Sequence, residues 1–141
     1  MSRVYLEVEN EDGTAERYRK HVNGKGMVAA SAKVDASTYI HNTAYVEAGA
    51  HIGRGSWIGA GSWIDRDAQL AERVFVGMNV HIGAGSRIGR GVEIGTHSRI
   101  GANSTIGDGA TIERDTTLPA GSTLPGVARN ATRVPGFDRA A

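Results

Sequence analysis

The sequence predicts an all-β fold in which one chain winds into a coil with three short strands in each turn. An aliphatic residue occupies every sixth position from Val28 to Leu124 without a gap, which gives seventeen hexapeptides in register. Neither an α-helix, with about 3.6 residues a turn, nor an isolated strand, with a period of about two, requires this spacing. A triangular coil does, because each short strand and the corner after it take up one hexapeptide. The aliphatic positions are Val28, Val34, Ile40, Val46, Ile52, Ile58, Ile64, Leu70, Val76, Ile82, Ile88, Ile94, Ile100, Ile106, Ile112, Leu118 and Leu124.

The residues around each aliphatic position fit short strands separated by tight corners. Two positions earlier stands a small or β-branched residue, as at Ala44 and Ser62. On a strand these two positions share one face, so we expect both inside and the residue between them outside. Three positions after the aliphatic residue, many repeats have glycine or asparagine, as at Gly85 and Asn103. Both residue types tolerate the positive φ that a sharp corner demands.

The repeat length sets the size of the coil and the division of the chain. Three hexapeptides complete one turn, so seventeen of them predict a prism of slightly under six turns. Residues 4–8 and 14–22 flank a Glu-Asp-Gly sequence and predict a β-hairpin. A coil exposes unpaired strands at its end, and the hairpin would cover them. We therefore divide the chain into a hairpin cap (1–25), a repeat (26–126) and a C-terminal tail (127–141).

Composition excludes several classes of partner. Sixteen basic and fifteen acidic residues leave a net charge of +1, which favours neither nucleic acid nor an anionic membrane. No apolar run approaches the roughly 18 residues of a membrane span, and the N-terminus does not have the pattern of a signal peptide. The absence of cysteine excludes disulfides and thiol catalysis. We expect a cytoplasmic protein that binds neither nucleic acid nor membrane.

The outward residues, one before each aliphatic position, fall on three faces of the prism. Face A carries Met27, Tyr45, Trp63, His81, Arg99 and Thr117; face B carries Lys33, His51, Gln69, Arg87, Thr105 and Thr123; face C carries Tyr39, Trp57, Phe75, Glu93 and Thr111. Every aromatic residue of the repeat is on face A or face C. These two faces meet at corners that carry His41, Met78, Asn79 and His97.

Five aromatic residues flank the edge between faces C and A, and we call them the aromatic edge. They are Tyr39, Tyr45, Trp57, Trp63 and Phe75. A monomer rarely exposes an apolar stripe of this size, so we interpret it as a subunit interface. Aromatic ladders that stabilise the sheets within one chain are the alternative, and the two roles are compatible.

The unbroken hexapeptide pattern with its corner glycines resembles the left-handed parallel β-helix of the hexapeptide-repeat acyltransferases. The resemblance covers about 100 of the 141 residues. It implies a left-handed coil, a homotrimer around a three-fold axis, and acyl-CoA as co-substrate in a groove between subunits. It also implies a histidine general base that accepts a proton from the hydroxyl or amine of the acceptor, since imidazole titrates near neutral pH.

His81 and His97 are the residues that best fit the catalytic role which the resemblance implies. Both lie near Asn79 and Glu93 in the coil. We expect Glu93 to orient a histidine, and Asn79 to hold the acceptor or polarise a carbonyl. The residues assigned to ligand binding are Asn79, Glu93, Trp57 and Trp63.

Two features of the sequence favour a different function. Acyltransferases of this family usually interrupt the repeat with a protruding loop and carry an extra substrate domain, whereas this repeat is unbroken and is flanked by a short hairpin and tail. The alternative is a non-enzymatic trimeric β-helix that serves as a structural or small-ligand-binding module, for example in a phage particle.

The histidines of the chain do not match the zinc site of a related family. The γ-class carbonic anhydrases share the repeat but have a close histidine pair, five residues apart, among their zinc ligands. The histidines here stand at 21, 41, 51, 81 and 97, with no such pair. We expect no metal.

Overall fold

The computed structural model describes residues 5–9 and 15–127, and these residues form nineteen β-strands without a helix. The first two strands are longer than the rest, and from the fourth onward each strand has two residues. The strands are β1 (Tyr5–Glu9), β2 (Ala15–Lys20), β3 (Met27–Ala29), β4 (Lys33–Val34), β5 (Tyr39–Ile40), β6 (Tyr45–Val46), β7 (His51–Ile52), β8 (Trp57–Ile58), β9 (Trp63–Ile64), β10 (Gln69–Leu70), β11 (Phe75–Val76), β12 (His81–Ile82), β13 (Arg87–Ile88), β14 (Glu93–Ile94), β15 (Arg99–Ile100), β16 (Thr105–Ile106), β17 (Thr111–Ile112), β18 (Thr117–Leu118) and β19 (Thr123–Leu124).

The strands form three parallel sheets that wrap around a common core. One sheet runs β3-β6-β9-β12-β15-β18, the second β4-β7-β10-β13-β16-β19, and the third β5-β8-β11-β14-β17. Each strand pairs with the strand three places later in the chain, so one turn contains three strands. The seventeen strands from β3 to β19 make five complete turns and two strands of a sixth. The predicted coil and its length are confirmed.

The pairing register matches the three predicted faces. Trp63 lies between Tyr45 and His81 in the first sheet. Phe75 lies between Trp57 and Glu93 in the third sheet. Because side chains alternate along a strand, a register that stacks the aliphatic residues inside also stacks each outward residue on its equivalents in neighbouring turns.

Columns of aliphatic side chains fill the interior, and hydroxyl groups line their margins. Ile58, Ile64 and Ile82 have no exposed surface. Ser62, two positions before Ile64, is also buried; its hydroxyl donates to the carbonyl of Gly77 at 2.6 Å and accepts from the amide of Val80 at 3.0 Å. A buried hydroxyl is stable where both its donor and its acceptor capacity are satisfied, so serine can replace alanine in this column.

Two positions in each corner have separate conformational requirements. From Gly49 onward, the third residue after the aliphatic position has positive φ, for example 72° at Gly85 and 59° at Asn103, as predicted. The residue directly after the aliphatic position is often glycine for a steric reason. A Cβ on Gly83 would lie 2.5 Å from the amide nitrogen of Ala102 in the next turn. Neighbouring turns therefore approach most closely at this position.

The N-terminal segment covers the first turn, as predicted. Strands β1 and β2 form an antiparallel hairpin, and β2 pairs antiparallel with β3. The following loop pairs with β5, because the amide of Ile40 donates to the carbonyl of Asn23 and the amide of Gly26 donates to the carbonyl of Ile40. Two of the three edge strands are thus covered. The predicted tail lies outside the described residues except for Val127, and the division at residues 25 and 126 stays a prediction.

His21 is buried beneath this cap. Its Nε2 lies 2.8 Å from the carbonyl oxygen of Thr38, which can only accept, so Nε2 carries the proton. Burial lowers the pKa of His21, because removal from water disfavours the charged imidazolium; the hydrogen bond to Thr38 opposes this in part.

We expect acidification to destabilise the cap through His21. The pKa of His21 is lower in the folded than in the unfolded state, so as the pH falls the unfolded chain takes up the proton first. The free energy of unfolding is then highest above the unfolded-state pKa of about 6.5 and falls as the pH drops from there toward the folded-state value. The melting temperature should fall between pH 7.5 and pH 5.5, and less so in His21→Gln, which retains an N–H donor. His51→Gln, at an exposed position, is the control; equal pH dependence in the wild type and His21→Gln would contradict this assignment.

Ile82→Asp should unfold the protein. Ile82 is fully buried in the core, and a carboxylate there has no partner and no water. We expect a loss of about 4 kcal/mol or more in the free energy of unfolding, measured by urea denaturation. Thr105→Asp places the same group at an outward, exposed position and should change it by about 0.5 kcal/mol or less. A stably folded Ile82→Asp variant would show that the register is wrong.

Candidate functional site

A shallow groove on face A brings together the residues with the clearest capacity for chemistry. It has a volume of about 270 Å³ and lies beside the corner between faces C and A. Its lining residues are Gly61, Trp63, Asn79, Val80, His81 and Arg99. Strands β9, β12 and β15, one above another in the same sheet, present Trp63, His81 and Arg99 side by side.

His81 is held from two directions. Its imidazole stacks on the indole of Trp63, with ring centroids 4.2 Å apart and an angle of 10° between the planes. Its Nε2 lies 3.1 Å from Oδ2 of Asp65, and the two side chains are 27% and 21% exposed. A carboxylate can only accept, so Nε2 donates its proton to Asp65. In the neutral ring the other nitrogen, Nδ1, then has a free lone pair, and it points away from Asp65.

Trp63 is itself held by Glu47, from the turn below. The indole Nε1 donates to Oε2 of Glu47 at 2.8 Å. The hydroxyl of Tyr18, from the hairpin strand β2, donates to the other oxygen, Oε1. Tyr18 also packs edge-on against Tyr45, with centroids 6.0 Å apart. A chain of contacts therefore runs from the hairpin through Glu47 and Trp63 to His81.

His97 has a different environment from His81. It occupies a corner position with φ of 65°, and its side chain is 59% exposed. Its Nε2 lies 3.4 Å from the amide nitrogen of Asn79, which can only donate, so Nε2 accepts. Its Nδ1 faces Oδ1 of Asp115 at 3.7 Å. Both ring nitrogens of His97 therefore face polar partners within the same corner column.

Profiles of two hexapeptide families match the C-terminal part of the repeat. The bacterial transferase hexapeptide family matches residues 67–102, and the hexapeptide repeat of succinyl-transferase matches residues 91–125. These matches agree with the six-residue period of the coil, in which a corner follows each short strand. This chain carries the hexapeptide repeat of bacterial transferases and has a left-handed parallel β-helix fold.

Solved structures similar to this hexapeptide-repeat protein include two bacterial acetyltransferases. One is a histidine-to-alanine mutant of GDP-perosamine N-acetyltransferase from Caulobacter crescentus in complex with CoA and GDP-perosamine; it is 30% identical over 70% of this chain and 49% of its own, with a TM-score of 0.65. The other is the acetyltransferase domain of PglB from Neisseria gonorrhoeae in complex with acetyl coenzyme A; it is 25% identical over 70% of this chain and 50% of its own, with a TM-score of 0.67. The chain thus matches about half the length of each. No curated protein sequence is significantly similar to it.

The hexapeptide-repeat structure groups some of the predicted site residues and separates others. His81, Asn79 and Trp63 line one groove. Trp57 and Glu93 lie on face C, above and below Phe75 in the register, and do not line that groove. The carboxylate beside His81 comes from Asp65, and Glu93 has no hydrogen bond or ion pair through its side chain to any residue that the structure describes.

The aromatic edge contains ladders within one chain and is still exposed. Tyr39, Trp57 and Phe75 stack in sequence, with centroids 5.3 Å and 5.0 Å apart and interplanar angles of 17° and 8°. Trp57 nevertheless keeps 38% of its surface exposed, and Phe75 keeps 45%. The ladder therefore leaves a substantial apolar surface in contact with solvent.

Sequence reasoning missed Asp65 and Glu47, although the repeat contains a signal for both. Each stands directly after an aliphatic residue, at the position where Gly77, Gly83 and six other repeats have glycine. A carboxylate at that position projects from the corner between faces A and B. From there it reaches the outward residue of the next turn, sixteen positions later in the chain.

Larger concavities lie on face B, away from these residues. One of about 670 Å³ is lined by Gln69, Arg87 and Thr105, and another of about 580 Å³ by Arg19, Lys33 and His51, among others. Neither is lined by a hydrogen-bonded histidine and carboxylate like His81 and Asp65.

Within the described part of the chain, no three His, Cys, Asp or Glu side chains cluster as metal ligands would. The same residues contain no helix long and apolar enough to cross a membrane.

Proposed function

We propose that this chain is an acyltransferase that moves an acyl group from acyl-CoA to a hydroxyl or amine of a small acceptor. The observation that carries the proposal is the His81 imidazole, bonded to Asp65 through Nε2 and stacked on Trp63 in the face A groove. Support also comes from the similarity to two acetyltransferases whose structures contain CoA or acetyl coenzyme A.

In this proposal His81 acts as the general base. Nδ1 accepts the proton of the acceptor hydroxyl or amine as its oxygen or nitrogen attacks the thioester carbonyl. Asp65 keeps the proton on Nε2 and stabilises the imidazolium that forms, as a carboxylate does beside a catalytic histidine. The tetrahedral intermediate then collapses, the carbon–sulfur bond breaks, and the CoA sulfur takes the proton from the imidazolium. The products are the acylated acceptor and free CoA.

The neighbours of His81 have supporting roles in this proposal. Asn79 presents an amide at the rim of the groove, where it would hold the acceptor or polarise the thioester carbonyl. Arg99, next to His81 in the register, would contact a phosphate of CoA. His97 is the second candidate for the base, but both of its nitrogens face Asn79 and Asp115, so we assign His97 to the acceptor side of the rim.

We also propose that the protein is a homotrimer in which the aromatic edge forms the contact between subunits. Tyr45, Trp57, Trp63 and Phe75 are 38–45% exposed, as large side chains at an unpartnered interface would be. The face A groove would then lie between two subunits. A cytoplasmic location, expected from the sequence, stays a prediction.

A second candidate function is a non-enzymatic trimeric module that binds a small ligand or has a structural role. The favouring observation is the unbroken succession of two-residue strands from β4 to β19, with no inserted loop that could enclose an acceptor. Binding of acyl-CoA without turnover would be the outcome expected from this candidate.

The acyltransferase proposal predicts two separable effects of His81→Ala. Acetyl-CoA in millimolar excess should raise the melting temperature of both the wild type and the variant by mass action. With a panel of small amines and hydroxy compounds, GDP-perosamine among them, the variant should release free CoA about 10²- to 10⁴-fold more slowly. His51→Ala, on face B, is the matched control and should keep the wild-type rate.

The two candidates diverge in this experiment. A rise in melting temperature without turnover by the wild type would favour the binding module. No rise and no turnover would overturn the acyltransferase proposal. Unchanged turnover in His81→Ala would remove His81 from the mechanism.

The interface proposal predicts that Trp57→Glu combined with Phe75→Glu converts the trimer to a monomer. Charged groups at these positions would have to be buried without partners. Sedimentation equilibrium should give a mass three times the chain mass of 14.8 kDa for the wild type and 14.8 kDa for the variant. Gln69→Glu with Thr105→Glu places the same charges on outward strand positions of face B and should leave the trimer intact. A trimeric Trp57→Glu, Phe75→Glu variant would exclude this interface.

A further inference from the structure

We propose that Glu47 is a positioning residue for the face A groove, which acts by fixing the Trp63 indole on which His81 stacks. The catalytic consequence rests on the proposed function of His81 as general base. The structural consequence does not, and it can be measured separately.

The Glu47 carboxylate bonds to side chains of two different elements. It accepts from Trp63 Nε1 at 2.8 Å through one oxygen and from the Tyr18 hydroxyl through the other. Each oxygen therefore has its own donor, and the donors come from different elements, β9 and β2. Hydrogen bonds to an ionised carboxylate are stronger than those between neutral groups, so this arrangement holds both partners firmly.

The bond to Glu47 orients the Trp63 indole. Trp63 is 42% exposed, so packing alone contacts only part of its ring. The terminal torsion of a tryptophan side chain has broad and roughly two-fold preferences. The bond from Nε1 to Glu47 selects one orientation of the ring, the one that lies almost parallel to the His81 imidazole. Without Glu47 the indole would be free to rotate toward solvent.

The orientation of the Trp63 indole in turn affects that of the His81 imidazole. The bond to Asp65 fixes the position of Nε2 but permits the ring to rotate about the N–H···O direction. The Trp63 face prevents that rotation by supporting one side of the ring at 4.2 Å. The direction of Nδ1 therefore depends on both contacts. A displacement of about 1 Å at a catalytic group can cost about a hundredfold in rate.

A simpler role for Glu47 is to anchor the hairpin through Tyr18, and the variants must separate the two roles. Glu47→Ala removes both hydrogen bonds, and Glu47→Gln retains one acceptor oxygen for two donors. Tyr18→Phe removes only the bond from the hairpin. Glu113→Gln is the matched control, because Glu113 is a glutamate at the same position of the repeat, directly after Ile112, and its exposed side chain has no polar partner in the described chain.

The deciding measurement is NMR of the full-length protein without ligand. Protons of an imidazole stacked on an indole resonate upfield because of the ring current, and the His81 signals are identified by their loss in His81→Ala. Only two tryptophan indole N–H signals exist, from Trp57 and Trp63. We expect Glu47→Ala to shift one indole N–H signal toward the position of a solvated indole and to abolish the upfield shift of His81. Tyr18→Phe and Glu113→Gln should leave both in place.

Kinetics then test the catalytic consequence. We expect Glu47→Ala to lower kcat for acyl transfer about tenfold to a hundredfold, with KM for acetyl-CoA within about twofold of the wild type. Thermal unfolding of each variant checks the fold, and Glu47→Gln takes the place of Glu47→Ala if the alanine variant does not fold.

The outcomes distinguish this inference from the proposed function. An unchanged His81 shift in the Glu47 variants would overturn the positioning role, whatever the activity. Full reproduction of the Glu47→Ala shifts by Tyr18→Phe would also overturn it, because Glu47 would then act through the hairpin. A lost His81 shift in a protein whose wild type transfers no acyl group would leave the positioning role standing and refute the proposed function.

Discussion

Hydrogen bonding between each turn and the next, eighteen residues later, is the constraint on which the rest of the structure depends. The amide of Trp63 donates to the carbonyl of Val80 in the next turn at 2.8 Å, and the amide of His81 donates to the backbone carbonyl of Ser98 at 3.1 Å. These bonds keep like positions of the repeat above one another. Buried aliphatic residues therefore stack on aliphatic residues of the next turn, and corners stack on corners. Each outward side chain has a fixed neighbour in the turns on either side.

This register determines what kind of site the molecule can build. A stack of two-residue strands has flat faces, and its concavities are only as deep as the outward side chains and corners make them. The His81 groove accordingly consists of a floor of strand residues and a rim formed by Asn79 and Gly61. Such a site gains rigidity from the strands, which suits a group whose direction matters. It lacks the enclosure that an inserted loop would provide, and for that reason a second subunit is part of the proposed site.

Departures from the repeat carry more functional information than the repeat itself. Glycine directly after the aliphatic residue permits close contact between turns, since a Cβ on Gly83 would lie only 2.5 Å from the next turn. Glu47 and Asp65 replace that small residue with a carboxylate in two successive turns of the same corner. Each accepts a hydrogen bond from the outward ring of the next turn, Trp63 in one case and His81 in the other. The hairpin joins this series through Tyr18, so the cap is connected to the groove.

The sequence by itself determined the coil, the number of turns, the three faces and their membership, because a period of six leaves only one register in which all aliphatic residues are inside. It also placed His81 and Trp63 on one face, with Asn79 at the corner beside it. Which carboxylate bonds to His81 was decided by the tertiary structure: the sequence favours Glu93 as the partner of a histidine, and the residue bonded to His81 is Asp65. The physical reason is that a repeat specifies backbone positions, whereas a bond between residues sixteen positions apart depends on side-chain torsions and on which side of a flat face each group projects. The same holds for the Glu47 carboxylate, whose two donors come from separate elements that meet only in the folded chain.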